Sequence, residues 1–306
     1  MKEQKLDLFS FAEEMRNEYR EKITLAGVAD AVSEIRTLRI KATNPDREIP
    51  ARLYVPAGIK KDEVKLPVVL FIHGGGFVSG DFDTHDILTR SIANGTAALV
   101  LAIDYRLAPE NPFPSGLDDI RASLKWVSLH GSEIGADTSR IAIAGDSAGG
   151  NLATVLAMQL RDSGGPELVA QWLMYPCLDY RMDTKSWARL GETNFPTRQI
   201  NETVYAAYVP FGMSPYDSRI SPARGNKQHL PPALIQVGDL DPLCDENIAY
   251  AESLVRAGVD AHLSVYKNHH HGFIQFYKDK DVNPDGEKAL KEGIMFLLAI
   301  FRTVNT

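Results

Sequence analysis

Apolar residues recur along this chain in two rhythms, and each rhythm predicts a different element. Near the start, Leu8, Phe11, Met15, Tyr19 and Ile23 fall three to four positions apart among Glu and Arg, which predicts an amphipathic helix with one apolar stripe. Such a stripe must cover something. From Ile35 the pattern turns to alternation: Ile35, Thr37, Leu38 and Ile40, then Ile49, Ala51, Leu53 and Val55 beyond an Asn44-Pro45-Asp46 turn, as in two antiparallel strands. A charged loop from Lys60 to Lys65 follows. Pro67 to Ile72 and Ala97 to Ile103 are continuous apolar runs, the composition of strands buried on both faces. Ile141 to Ala144, Leu168 to Tyr175, Pro232 to Val237 and Ala261 to Tyr266 also read as strands.

Helical spacing fills the gaps between these runs. It covers Thr84 to Asn94, Leu117 to His130, Asn151 to Arg161, Asn247 to Ala257 with Gly258 as its cap, and about Asp285 to Phe301. Strand and helix alternating at these lengths predict an α/β fold with a mostly parallel, doubly wound sheet covered on both faces. Between Asp179 and Arg219 the alternation lapses into a segment rich in aromatics: Trp187, Phe195, Tyr205, Tyr208, Phe211 and Tyr216. A stretch that long is a helical excursion packed away from any site or a functional lid, and the lid is the favoured reading.

Composition narrows the class of protein without naming a reaction. In 306 residues, hydrophobic side chains make up 44% and charged ones 24%, ordinary for a globular chain with a sizeable core. A net charge of -7 and the lack of any basic block argue against a nucleic-acid partner. The charged segment Met1 to Lys22 lacks a secretory h-region, and no apolar run is long enough to span a membrane. The 2 cysteines, Cys177 and Cys244, read as free thiols of a cytoplasmic protein.

Candidate chemistry centres on Gly145-Asp-Ser-Ala-Gly149, which lies where a strand hands over to a helix. A turn that tight strains the serine backbone and crowds its neighbours, so glycines two positions either side of Ser147 fit where a Cβ would clash. This is the nucleophile-elbow pattern, with a plain glycine-rich turn or a phosphate loop as alternatives. A serine hydroxyl needs a base, and the base needs a third group to hold its tautomer. Asp241 and His271 follow strand-like runs, and in a parallel sheet the carboxyl ends of the strands lie along one edge, so both would converge on Ser147. Asp239 and Asp245 compete with Asp241, with Asp245 reading as a helix cap; His269 and His270 compete with His271. Three adjacent histidines make a poor metal site, and no H-E-x-x-H pattern occurs, so neither metal nor cofactor is expected. Amide donors for a tetrahedral oxyanion, worth on the order of 3 kcal/mol each, are assigned to Ala148 after the nucleophile and to Gly74 and Gly75 in His73-Gly-Gly-Gly76.

Taken together, His73-Gly-Gly-Gly76, Tyr105-Arg-Leu-Ala-Pro-Glu110, Gly145-Asp-Ser-Ala-Gly-Gly150, Asp241-Pro-Leu243 and His271-Gly-Phe273 make the chain from about residue 66 onward resemble the bacterial hormone-sensitive-lipase family of α/β-hydrolase esterases. The resemblance implies Ser147 as nucleophile, Asp241 and His271 as its partners, and Gly74, Gly75 and Ala148 as oxyanion donors. It also implies a cap, placing residues 1–45 and 181–219 there and residues 46–180 and 220–306 in the core. Arg106 and Glu110 are expected to pair as scaffold. Cys244 stands where the family often has a basic residue and Asn111 where it often has histidine, which bears on cap contacts and pocket shape.

The expectation is a serine carboxylesterase for short- to medium-chain acyl esters, acting through an acyl-enzyme on a small-molecule ester, with no membrane or nucleic-acid partner. An aromatic-lined pocket under the cap suits a small hydrophobic ester. An amidase or peptidase on the same residues, and a non-catalytic receptor on this fold, are the competing readings. Homo-oligomer formation and the role of His85 are not legible at this level.

Overall fold

A computed structural model of the chain describes residues 7–43, 45–59 and 65–303. Asn44 of the expected turn and most of the Lys60–Lys65 loop lie outside the described residues. Among the described residues eight strands form one sheet: β1 (Glu34–Thr43), β2 (Asp46–Val55), β3 (Leu66–Ile72), β4 (Leu99–Ile103), β5 (Ala136–Asp146), β6 (Ala170–Met174), β7 (Ala233–Gly238) and β8 (Ala261–Tyr266). Their order is β1-β2-β4-β3-β5-β6-β7-β8. The β1–β2 and β2–β4 pairs are antiparallel, and every pair from β4 through β8 is parallel.

Eight α-helices accompany the sheet among the described residues: α1 (Leu8–Glu21), α2 (Asp86–Thr96), α3 (Ser115–His130), α4 (Ala148–Ser163), α5 (Lys185–Leu190), α6 (Arg198–Tyr208), α7 (Cys244–Arg256) and α8 (Gly286–Thr303). The continuous apolar runs are explained by burial on both faces: all seven residues of β3 are buried. Val68, Leu70 and Ile72 pack into a core that includes Leu117 and Leu124 of α3 and Leu152 and Leu156 of α4. Val69 and Phe71 face the opposite core, with Leu88 and Ile92 of α2 and Leu290 and Leu297 of α8.

This topology fixes where a ligand can sit. β3 pairs with both β4 and β5, so the strand order reverses at β3, and a crevice opens beyond the carboxyl ends at such a reversal. The chain leaves β3 into His73-Gly-Gly-Gly76 and leaves β5 into Ser147, and the two segments therefore meet at the same edge. Over that edge lies α1, whose N-terminus is capped by the Asp7 carboxylate accepting from the Phe9 and Ser10 N–H groups. Among the described residues, no helix is long and apolar enough to cross a membrane.

Candidate active site

The turn from β5 into α4 holds Ser147 at φ 53, ψ -117, a region that residues with a Cβ rarely adopt. Tight packing keeps it there. A Cβ on Gly145 would stand 2.6 Å from the Gly149 backbone, and one on Gly149 would run into the Ile72 carbonyl oxygen. The Ser147 N–H is donated to the Met174 carbonyl at 2.9 Å, tying the turn to β6. The Ser147 side chain is thereby presented at the crevice.

Asp241, from the loop after β7, and His271, from the loop after β8, reach the same point. His271 Nε2 lies 2.8 Å from Ser147 Oγ, and His271 Nδ1 lies 2.7 Å from Asp241 Oδ2. Asp241 is fully buried and the His271 side chain nearly so. The other Asp241 oxygen accepts the Leu243 N–H at 2.9 Å. The His271 ring is packed edge-on against Tyr175, with centroids 4.8 Å apart, and near Phe195 at 5.8 Å.

The neighbouring candidates are engaged elsewhere. Asp239 accepts the Asn268 N–H at 2.7 Å. Asp245 is not a helix cap: it lies within the first turn of α7, and its carboxylate accepts the Ser186 N–H of α5 at 2.7 Å. His269 is buried between the Lys267 carbonyl and the Asp285 N–H, a tie within its own loop. His270 is exposed beside Asn194. Among the described residues, no group of three or more His, Cys, Asp or Glu side chains is arranged to hold a metal ion.

The glycine loop requires a correction. The Gly74 N–H, expected to face an oxyanion, is donated instead to Asp146 Oδ1 at 2.8 Å, and Gly74 does not line the cavity. Gly75 and Gly76 do line it, and their N–H groups have no protein acceptor among the described residues. Ala148 is the first residue of α4, where a backbone N–H has no partner within its own helix. Its neighbour Asp146 grips the loop from below. Burial works against a charged Asp146, but the adjacent His85, 3.1 Å away, and the Gly74 N–H outweigh it and hold the carboxyl below its usual range. His85 in turn meets Thr84 Oγ1 at 2.9 Å and the Tyr19 hydroxyl of α1 at 3.3 Å. His73 stacks on Tyr105 at 4.3 Å, and burial, with His85 nearby, pushes its pKa down to about 4.

A cavity of about 260 Å³ extends from Ser147 and His271. Met15 and Tyr19 of α1, Ile200, Asn201 and Val204 of α6, and the ring of Phe276 contribute to its wall. Of the aromatics expected from the 179–219 segment, Phe195 alone lines it among the described residues; Trp187, Tyr205 and Tyr208 are buried in packing, and Phe211 and Tyr216 are exposed. The expected Arg106–Glu110 pair is also absent. Arg106 binds Asp119 at 2.9 Å, whereas Glu110 takes both terminal nitrogens of Arg16 at 2.7 and 2.8 Å. Both cysteines are free and buried; Cys177 lines the cavity, while Cys244 does not, and burial raises the Cys244 thiol to about 11.

Comparison with known proteins places these features. A family described by its alpha/beta hydrolase fold matches residues 69–275. The chain is 42% identical over 234 residues to carboxylesterase NlhH of Mycobacterium tuberculosis, covering 75% of this chain and 72% of that protein. It is 38% identical over 273 residues to esterase LipI of the same species, covering 87% and 83%. The structure of EstE1, a thermophilic carboxylesterase from a metagenomic library, superposes with a TM-score of 0.88 at 34% identity, covering 96% of this chain and 98% of that one.

Proposed function

The chain belongs to the α/β-hydrolase family as a carboxylic ester hydrolase similar to hormone-sensitive lipase, and from that premise we propose that it cleaves short- to medium-chain acyl esters through an acyl-enzyme on Ser147. The observation that carries this reading is the continuous hydrogen-bonded line from Ser147 Oγ through the His271 ring to Asp241, at 2.8 and 2.7 Å.

With its Nδ1–H donated to Asp241, His271 has Nε2 left to accept the hydroxyl proton of Ser147 as Oγ attacks the ester carbonyl carbon. The carbonyl π pair moves to oxygen. The N–H groups of Gly75, Gly76 and Ala148 are the donors proposed to meet that charge. As the tetrahedral species collapses, the bond to the alcohol oxygen breaks, and His271 returns the proton to that oxygen. Water then repeats the sequence on the acyl-enzyme: its proton passes to Nε2, its oxygen bonds to the acyl carbon, and Ser147 regains a hydroxyl as the acid leaves. Asp241 keeps the ring oriented and stabilises the transient imidazolium.

The cavity volume supports a small substrate, since it falls below the roughly 300–1,000 Å³ of sites for drug-sized ligands. α1 together with α5 and α6 forms the cap in this reading, covering the crevice with Met15, Tyr19 and Val204, whereas β1, which the 1–45 boundary put in the cap, is the edge strand of the sheet beside β2. A chain-length series of p-nitrophenyl esters on the parent and on Ser147→Ala tests the proposal. Turnover should peak at short to medium acyl chains and vanish in the variant. Equal rates for the two proteins, or a preference for long chains, would overturn it.

A further inference from the structure

One buried polar side chain in the cavity wall takes no part in the steps above. Asn201, on α6, lines the cavity and is 7% exposed. Its backbone N–H completes the helix by bonding the Thr197 carbonyl at 2.9 Å, but among the described residues its side-chain amide meets no donor or acceptor.

The other buried hydroxyl, amide and carboxylate side chains of the wall each have a partner among the described residues. Ser79 Oγ is donated to the Gly75 carbonyl. Gln275 accepts from Tyr19 and donates to the Thr84 carbonyl. The Tyr175 hydroxyl accepts from the Gln275 N–H, and Asp146 holds Gly74 and His85. The amide is left facing the cavity with no protein partner among the described residues, and an apolar residue beside Ile200 and Val204 would serve as well if the position served packing alone.

The placement of Asn201 relates it to the reacting bond. Val204, three residues further along the same helix face, stands against the oxyanion loop, since a Cβ on Gly76 would come within 3.0 Å of it. At the other end of the same wall Phe195 lies beside His271. Asn201 therefore stands about one helical turn, roughly 5 Å along the axis, from the residue that touches the loop proposed to meet the carbonyl oxygen, within reach of a group a few bonds along the bound chain.

We propose that Asn201 is a specificity-determining residue, selecting esters that carry a neutral hydrogen-bonding group, such as a ketone or ether oxygen, a few bonds from the scissile carbonyl. This deepens the esterase reading and rests on it. An amide presents two donors and an acceptor on one planar group, so it recognises an uncharged oxygen without requiring an ion. A purely hydrocarbon chain leaves the amide unpaired and is discriminated against.

Two pairs of near-isosteric esters test the proposal on the parent and on Asn201→Leu, with one pair altered in the acid and the other in the alcohol. The first pair is p-nitrophenyl 4-oxopentanoate against p-nitrophenyl 4-methylpentanoate. The second is 2-methoxyethyl butanoate against butyl butanoate. Each pair gives a ratio of kcat/KM, polar over apolar, and comparing that ratio between proteins cancels the intrinsic reactivity of the esters. Asn201→Leu should lower the ratio about tenfold in one arm, and the arm that responds tells whether the polar group belongs to the acid or the alcohol. Asn201→Ala, which keeps a strong helix former in α6, should shift the same arm if the leucine protein is insoluble. Ratios within twofold of the parent in both arms overturn the proposal, even if absolute rates fall. A parent that hydrolyses none of the four esters removes the esterase reading first and this inference with it.

Discussion

Ser147 sits in backbone geometry that costs on the order of 1–3 kcal/mol for a residue with a side chain, and the residues around it have no room to let it relax. Two outcomes follow at this scale. Ser147→Ala should keep the thermal midpoint of the parent while kcat falls by on the order of 10⁴ or more; melting curves and steady-state rates on one preparation check both. Gly149→Ala should destabilise the fold by about 3 kcal/mol or more, because its methyl has nowhere to go but into the Ile72 carbonyl. A urea titration reads that loss.

The tight turn at Ser147 was legible because its constraint is local: glycines at 145 and 149 around a serine describe their own geometry. The assignment of Gly74 failed for a different reason. Which amide of His73-Gly-Gly-Gly76 faces the cavity depends on where the Asp146 carboxylate turns, and that is a contact across 72 positions of chain. Asn201 was equally hidden, since an asparagine in a helix has no pattern that separates a surface amide from one turned into a cavity.

At the scale of elements, spacing located the helices and strands, and small residues blurred their ends. α4 begins at Ala148 where periodicity predicted Asn151, because Ala148, Gly149 and Gly150 have no apolar side chains to set a period. β5 begins at Ala136 rather than Ile141, since Asp137, Ser139 and Arg140 hide the strand's first half. The joint between α5 and α7 was out of reach from sequence. Glu246 of α7 is buried and accepts the Leu178 N–H at 2.6 Å and the Trp187 indole N–H at 3.1 Å, while Ser186 is held by Asp245 and the Pro242 carbonyl. Burial, aided by the nearby Asp179 charge, raises the Glu246 pKa to about 8 against an ordinary 4.5, and the three N–H groups it accepts, from Leu178, Asp179 and Trp187, offset this only in part.

The sign of the pH effect follows. In the unfolded chain this carboxyl ionises near 4.5 and in the fold near 8, so the unfolded state binds fewer protons between those values. Its contribution to stability is full below about 4.5 and is lost as pH rises to about 8. Glu246→Gln should therefore flatten the decline in stability from about pH 5 to pH 8, measured by urea midpoints across the range. Parallel declines in the two proteins would contradict the assignment. On the other face of the sheet, α8 crosses Trp172 at Gly293, where a Cβ would meet the indole ring, so Gly293→Ala should lower the thermal midpoint by several degrees.

Across the whole molecule, the doubly wound order brings Ser147, Asp241 and His271 together from three separate strand ends, and this much was readable because the apolar runs fix where those strands stop. How α1 is fastened was not. Arg16 reaches the Val78 carbonyl at 2.8 Å, the Ala108 carbonyl at 3.1 Å and both oxygens of Glu110, clamping α1 over the cavity from across the chain. Arg16→Ala should loosen this cover, raising KM several-fold with a smaller change in kcat and making α1 the first site cut in limited proteolysis.

In the proposed mechanism Ser147 Oγ is the atom that takes the acyl group. The most direct test of this is mass spectrometry of protein inactivated by a p-nitrophenyl alkylphosphonate, with the modified peptide sequenced. The expected result is one adduct per chain, on Ser147, with activity lost in step and with Ser147→Ala neither labelled nor active. Inactivation with the adduct on another residue, or parental turnover in Ser147→Ala, would contradict it.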